Sequence, residues 1–142
     1  MQDALSAGLS LRVPAQTAAA QGPTDKPYIV ELVYRIKWGH KNEIFELFKK
    51  YQLPVLAREK QLGYVTDYAI YSPNLHTSED TRWDYRVIIT YKNETSADHS
   101  KEITEQLFPD EAVRKEEELR RWEITEQHWD LPIHIVDPVS RK

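Results

Sequence analysis

Two segments of the chain alternate bulky apolar residues with charged ones, and this alternation constrains the fold more than any other feature. They span residues 28–38 and 83–91. Side chains on a β-strand point to opposite faces in turn, so each segment is predicted to be a strand with one apolar and one charged face. The apolar positions are Val30, Leu32, Tyr34, Ile36 and Trp38 in the first, and Trp83, Tyr85, Val87, Ile89 and Tyr91 in the second. The charged positions are Glu31, Arg35, Asp84 and Arg86.

Length and composition limit the classes of protein to which the chain can belong. Its 142 residues fall within the usual size of one domain. The 19 Lys and Arg residues are interspersed with 23 Asp and Glu residues, which argues against a nucleic-acid partner, because that partner needs a basic stripe. The sequence contains no cysteine, which excludes thiol nucleophiles, thiolate ligands and disulfides. We find no apolar run of membrane-spanning length in the sequence.

Residues 1–27 differ in composition from the rest and are interpreted as an appendage to a domain of residues 28–138, with a short tail at 139–142. The stretch 17–21 resembles the small-residue cleavage region of a secretory signal, although no basic segment precedes it. That interpretation predicts a periplasmic or secreted protein, and without it the protein is cytoplasmic. Two alternatives are a disordered tail and an arm whose Leu9, Leu11 and Val13 add a strand to a sheet edge.

The remaining elements follow from changes in hydrophobic period. Helical spacing begins after Gly39, is interrupted by Pro54, and ends at Gly63, a residue suited to a helix C-terminus. We predict a strand at residues 64–71, a polar loop at 72–82, helices at 95–107 and 109–122, and a strand at 128–136. On the last strand, Trp129, Leu131, Ile133 and Ile135 share a face.

The predicted order, β-α-β-β-α-α-β, is that of an α+β ferredoxin-like fold with one antiparallel sheet and a divided second crossover. Right-handed crossovers place the first and third strands at the centre of the sheet and the other two at its edges. Pro132 suits an edge strand, because proline cannot donate a ladder hydrogen bond. The apolar strand faces are expected under the helices, and the charged faces are expected to point away from them.

In element order and strand length, residues 28–137 resemble the dimeric α/β-barrel superfamily. That grouping includes antibiotic-biosynthesis monooxygenases, muconolactone isomerases, stress-responsive barrel proteins and haem-binding enzymes. The resemblance implies a homodimer, or a larger homo-oligomer, in which two sheets pack face to face. It brings no catalytic signature, because no motif of a characterised member is present in the sequence. Function must therefore be argued from individual residues.

The resemblance makes the charged sheet faces the candidate site, a polar cavity between two sheets. The inward set is predicted to be Glu31, Val33, Arg35, Asp67, Ala69, Tyr71, Asp84, Arg86, Ile88, Thr90, His128, Asp130 and His134. Under a first hypothesis the protein binds a small molecule or is a cofactor-free enzyme. Arg35 and Arg86 then contact an anion or carbonyl group, and Asp84, Glu31 or His134 transfers protons. Further ligand contacts are predicted for Asp67, Tyr71 and His76.

A second hypothesis makes the same charges purely structural. Arg35 would pair with Asp84, and Glu31 with Arg86, fixing strand register and dimer geometry in a non-catalytic assembly protein. The N-terminal arm would then add a strand to a neighbouring chain.

The histidines give no metal site. His128 and His134 are six residues apart on one predicted strand, a separation of about 20 Å that one metal ion cannot bridge. No other pattern in the sequence implies a metal or a cofactor.

Overall fold

The structure, a computed structural model, describes residues 25–139. Its strands are β1 (Tyr28–Ile36), β2 (Val65–Tyr71), β3 (Tyr85–Tyr91) and β4 (Thr125–Ile133). Its α-helices are α1 (Lys41–Leu47), α2 (Leu53–Gln61), α3 (Ser100–Leu107) and α4 (Glu111–Ile124). Short 3₁₀ turns occupy Glu79–Thr81 and Glu94–Ala97. The predictions for residues 1–24, including the secretory signal and the strand-forming arm, lie outside the described residues.

The strands form one four-stranded sheet in the order β2-β3-β1-β4, with every neighbouring pair antiparallel. The predicted ferredoxin-like fold is therefore confirmed, with β1 and β3 at the centre and β2 and β4 at the edges. Pro132 lies on the edge strand β4, as expected.

The helices cover one face of the sheet and enclose the apolar core. Alternate residues of β3 are buried on this side, where Val87 and Ile89 pack against helix residues such as Ile44 and Phe48. Tyr85 lies at the centre of this core, and its ring stacks on that of Tyr34 with the centroids 4.3 Å apart. The charged residues of β1 and β3 alternate with these apolar ones, so the predicted faces of the two central strands are correct.

Pro54 widens the first helical segment instead of breaking it. A π-helical turn, Phe48–Gln52, joins α1 to α2, and Pro54 lies in the first turn of α2. A proline has no N–H to donate to the preceding turn, and a wider turn accommodates both that loss and the ring. Gly63 follows α2 with φ of +86°, the left-handed conformation expected at a helix C-terminus.

The structure reverses the predicted faces of β4. His128 pairs with Tyr34 and Asp130 with Leu32, which places both on the helix side, whereas Trp129 pairs with Val33 and faces away from the helices. Leu131 and Ile133 share the face of Trp129. The prediction failed because alternation separates two sets of side chains without saying which set faces the core. Near its start β4 also has an irregularity in its pairing with β1: Arg35 pairs with Gln127 but Ile36 with Thr125, so Glu126 is an extra residue that shifts the alternation.

No helix in the described part of the chain is both long enough and apolar enough to cross a membrane.

Candidate functional site

The sheet face away from the helices, here called the outer sheet face, contains most of the predicted site residues in rows across the strands. Its rows are Tyr71–Arg86–Val33–Trp129, Ala69–Ile88–Glu31–Leu131 and Asp67–Thr90–Ile29–Ile133. The predicted pair of Glu31 and Arg86 is present, with 3.5 Å between carboxylate and guanidinium atoms. The rows are otherwise largely apolar, because the reversed face of β4 contributes Trp129, Leu131 and Ile133. The outer sheet face is therefore less polar than the sequence analysis predicted.

Arg35 and Asp84 belong to an ion-pair cluster at one end of the sheet, which comprises Arg35, Glu79, Arg82, Asp84 and Glu126. Arg35 binds Glu79 at 2.9 Å and Glu126 at 2.7 Å. Arg82 binds Asp84 at 2.6 Å and also contacts Glu79 and Glu126. The predicted pair of Arg35 with Asp84 is not formed, because Arg82, from the loop before β3, occupies the carboxylate instead.

This ion-pair cluster is tied to the backbone of β1. The Asp84 carboxylate accepts a 2.7 Å hydrogen bond from the Ile36 N–H, and Arg82 donates a 3.1 Å bond to the Ile36 carbonyl. The Arg82 guanidinium also lies 4.4 Å from the centre of the Trp38 ring. Because their donors and acceptors are already engaged, these charged side chains hold the end of the sheet together and are not placed to bind a ligand.

The three predicted proton-transferring groups are not brought together. Asp84 lies beside the end of β1, Glu31 lies in its middle, and His134 follows β4 at the opposite end of the sheet. His76 is exposed in the loop between β2 and β3. No group of three or more His, Asp or Glu side chains in residues 25–139 is placed to hold a metal ion.

His128 and Asp130 form a pair on the helix side of β4. The His128 ring stacks on Tyr34, 4.1 Å between centroids, and lies 5.5 Å from the Trp122 ring. Its Nε2 is 2.9 Å from the Asp130 carboxylate, and its Nδ1 is 3.1 Å from the Val33 carbonyl oxygen. Contrary to the prediction, neither residue faces the outer sheet face.

A cavity of about 720 Å³ lies on the other side of the sheet, between the sheet and the helices. This helix-side cavity has an apolar floor, and α3 and α4 place charged residues around it. Its apolar lining includes Leu32, Leu47, Phe48, Val55, Leu56 and Ile89. Its volume falls within the usual range for small-molecule sites. Polar and charged residues outnumber the apolar ones in its lining.

Glu59 on α2 is the most unusual residue of the helix-side cavity. Its side chain is only 1% exposed, and its Oε2 atom has no hydrogen-bond partner within residues 25–139. Burial disfavours the charged carboxylate and raises the pKa of Glu59 to about 7, while the nearby His99 opposes the rise. At neutral pH this carboxyl is therefore close to the midpoint of its titration.

The polar residues Tyr91, Gln52 and Arg121 also line the same cavity, and two of them have a buried atom without a hydrogen-bond partner in the described chain. Tyr91 on β3 is buried beside Glu59, and desolvation, followed by the Glu59 charge, raises the pKa of Tyr91 to about 12. Gln52 donates to the Tyr34 hydroxyl at 3.4 Å, but its Oε1 finds no donor in the described chain. Nε of Arg121 on α4 is a buried donor that finds no acceptor in the described chain. Buried polar groups are normally hydrogen-bonded, so these atoms are available to bind polar groups of a ligand or water in the cavity.

Sequence reasoning missed Glu59, although a signal was present. Val55, Leu56 and Glu59 are the buried residues of α2, and their spacing places Glu59 on the apolar stripe of that helix. An acid on such a stripe is seldom fully buried without a partner. The cavity itself could not be read from the sequence, because it arises from the way three helices pack above the sheet.

Comparisons with known proteins support the fold. No protein-family model matches the chain, and no curated protein matches its sequence. A dimeric ferredoxin-like protein from an uncultured marine organism is 12% identical with a TM-score of 0.50, over 83% of this chain and 96% of that one. An Arabidopsis thaliana protein is 11% identical with a TM-score of 0.50, over 80% of this chain and 99% of that one. A NIPSNAP family protein from Agrobacterium tumefaciens is 18% identical with a TM-score of 0.48, over 81% of this chain and 100% of that one. At these identities the two likenesses with a TM-score of 0.50 bear on the fold alone.

Proposed function

We propose that the protein binds a small organic molecule in the helix-side cavity of each subunit of a homodimer. The observation that carries the ligand site is Glu59, a buried carboxyl with an unmatched oxygen beside a cavity of about 720 Å³. Burying a carboxyl without a partner is unfavourable by several kcal/mol. A ligand that hydrogen-bonds this group would recover part of that loss. This proposal moves the ligand site from the outer sheet face, where the sequence analysis expected it, to the opposite side of the sheet.

The cavity proposal is tested by screening a library of small aromatic and aliphatic compounds against ¹⁵N-labelled protein. We expect shifted amide signals to cluster at Gln52, Glu59, Tyr91 and Thr104, with little change along the outer sheet face. The variant Thr104→Trp places an indole into the cavity and should abolish these shifts. Gln106→Trp, on the same helix but outside the cavity lining, is the matched control. A screen in which no compound moves the cavity amides contradicts the proposal.

Support for the homodimer comes from the outer sheet face. Trp129, Leu131 and Ile133 are 38–45% exposed there, and they continue the apolar rows of the central strands. A contiguous exposed apolar surface of this kind is typical of a protein interface. A second copy of the same sheet face is a suitable partner, because the Glu31–Arg86 pair offers both charges to a two-fold related copy.

Molar mass from light scattering during gel filtration tests the dimer. We expect the wild-type chain to elute as a dimer and Leu131→Glu to elute as a monomer, because a carboxylate would be buried in the interface. Leu119→Glu makes the same substitution at an exposed leucine of α4 and should remain dimeric. A monomeric wild type, or a dimeric Leu131→Glu, would contradict this assignment. Species larger than a dimer would favour the assembly hypothesis.

A further inference from the structure

Two buried oxygen acids line the helix-side cavity. Glu59 projects from α2 and Tyr91 from β3, and both line the cavity. Both side chains are buried, at 1% and 8% exposure. Burial and, after it, the charge of Glu59 raise the pKa of Tyr91. The phenol is neutral at physiological pH, and the carboxyl is neutral in the lower part of the physiological range.

We propose that the Glu59 carboxyl, which has an unmatched buried oxygen, and the Tyr91 hydroxyl are hydrogen-bond donors that recognise the carbonyl oxygen of a largely apolar ligand in this cavity. This inference rests on the proposed function of the helix-side cavity. A neutral carboxylic acid beside a phenol is an established way to bind an oxygen atom that carries partial negative charge. The apolar lining from Phe48, Leu56 and Ile89 suits the body of such a ligand, such as an aromatic or alicyclic ketone.

Binding by this pair must weaken as Glu59 loses its proton. The carboxylate form has no hydrogen to donate, and its charge repels the lone pairs of a carbonyl oxygen. The titratable or charged groups that line the cavity or lie near Glu59 from other elements are Tyr51, Tyr91, His99, Lys101, Glu105, Glu111, Arg114, Lys115, Glu117, Glu118 and Arg121. The test must therefore separate Glu59 from these groups, including His99.

The test compares 2-acetonaphthone with naphthalene, which has the same ring system without the ketone. Neither compound titrates between pH 5.5 and 8.5, so any pH dependence belongs to the protein. Dissociation constants are measured by equilibrium dialysis with the full chain. At pH 6 we expect 2-acetonaphthone to bind about 10- to 100-fold more tightly than naphthalene, the range for two net hydrogen bonds. Its affinity should fall at least tenfold by pH 8.5, with a midpoint near 7.

Two conservative variants identify the groups. Glu59→Gln keeps a neutral donor, so the affinity for 2-acetonaphthone should lose its pH dependence while the protein stays folded by circular dichroism. Tyr91→Phe should weaken 2-acetonaphthone binding about 3- to 10-fold at every pH and leave naphthalene binding unchanged. A pH dependence that persists in Glu59→Gln would assign it to another group, such as His99, and overturn the inference.

The failure of this inference differs from failure of the proposed function. If both compounds bind with equal affinity at every pH, the cavity is a ligand site but the donor pair is wrong. If neither compound binds the wild-type chain, and the amide signals of Glu59 and Tyr91 do not move, the cavity proposal and the donor pair both fail.

Discussion

Replacing Glu59 with glutamine is expected to stabilise the protein at alkaline pH and to leave its stability almost unchanged at acid pH. Burial raises the pKa of Glu59 from its ordinary value of 4.5 to about 7. Between these values the folded protein holds a proton that the unfolded chain releases, so the free energy of unfolding falls as pH rises across this window. At pH values well above 7, this contribution to the free energy of unfolding is fully lost.

The size of the effect follows from the two pKa values. A tenfold change in proton affinity corresponds to about 1.4 kcal/mol. The rise from 4.5 to about 7 therefore corresponds to about 3 kcal/mol of stability lost between pH 4.5 and 8. Glutamine has nearly the same shape as glutamate and carries no charge at either pH. The Glu59→Gln variant should consequently exceed the wild type in stability by up to about 3 kcal/mol at pH 8.

Urea unfolding followed by circular dichroism at pH 5, 6, 7 and 8 measures this difference. All samples are compared at one protein concentration, because association changes the apparent stability of an oligomer. Subtracting the wild-type curve from the variant curve removes contributions of other titrating groups. Glu46→Gln, at an exposed glutamate of α1, is the control and should show no pH-dependent difference. A Glu59→Gln difference that is constant from pH 5 to pH 8 would refute the argument that Glu59 is buried and protonated.

Three further predictions concern stability, each measured by urea unfolding. Arg82→Ala should lower the free energy of unfolding by about 3 kcal/mol, because it leaves the largely buried Asp84 without its partner, and Arg82→Lys should recover part of this loss. An alanine variant within 1 kcal/mol of the wild type would show that the ion-pair cluster is dispensable. Tyr85→Phe should maintain or raise stability by about 1 kcal/mol, because the buried Tyr85 hydroxyl has no hydrogen-bond partner in the described chain; a clear loss would reveal an unseen partner. Gly63→Ala should lower stability by about 1 kcal/mol through backbone strain alone, since a Cβ there meets no atom within 4 Å. An unchanged midpoint would contradict that estimate.

Much of the fold was predictable because its signals are local. In β1 and β3, large apolar residues recur at every second position and the charged residues fall between them, and the side of the sheet followed once the helices were located. The edge position of β4 followed from crossover handedness and agreed with Pro132. The limits of the elements were less exact: β4 was predicted at residues 128–136 but begins at Thr125 and ends at Ile133.

The candidate site was less predictable because it depends on contacts between distant segments. His128 is polar enough to suggest a solvent-facing residue, yet it lies in an aromatic stack between Tyr34 and Trp122. The partner of Asp84 is Arg82, only two residues away, but the path of the intervening backbone decides which arginine reaches it. Glu59 was identifiable as an acid on an apolar stripe, whereas the space beside it depends on how α2, α3 and α4 pack.

The start of β4, just after its junction with α4, restricts how this chain can change during evolution. Glu126 is an extra residue in the pairing of β4 with β1, between Thr125 and Gln127. Side chains on a strand alternate with a period of two, so deleting this one residue while Thr125 keeps its place would exchange the two faces of β4. Trp129 and Leu131 would then point toward the helices, and His128 would leave its stack with Tyr34. Length changes should therefore be rare at this junction among relatives, whereas the loop between β2 and β3 can vary in length more freely.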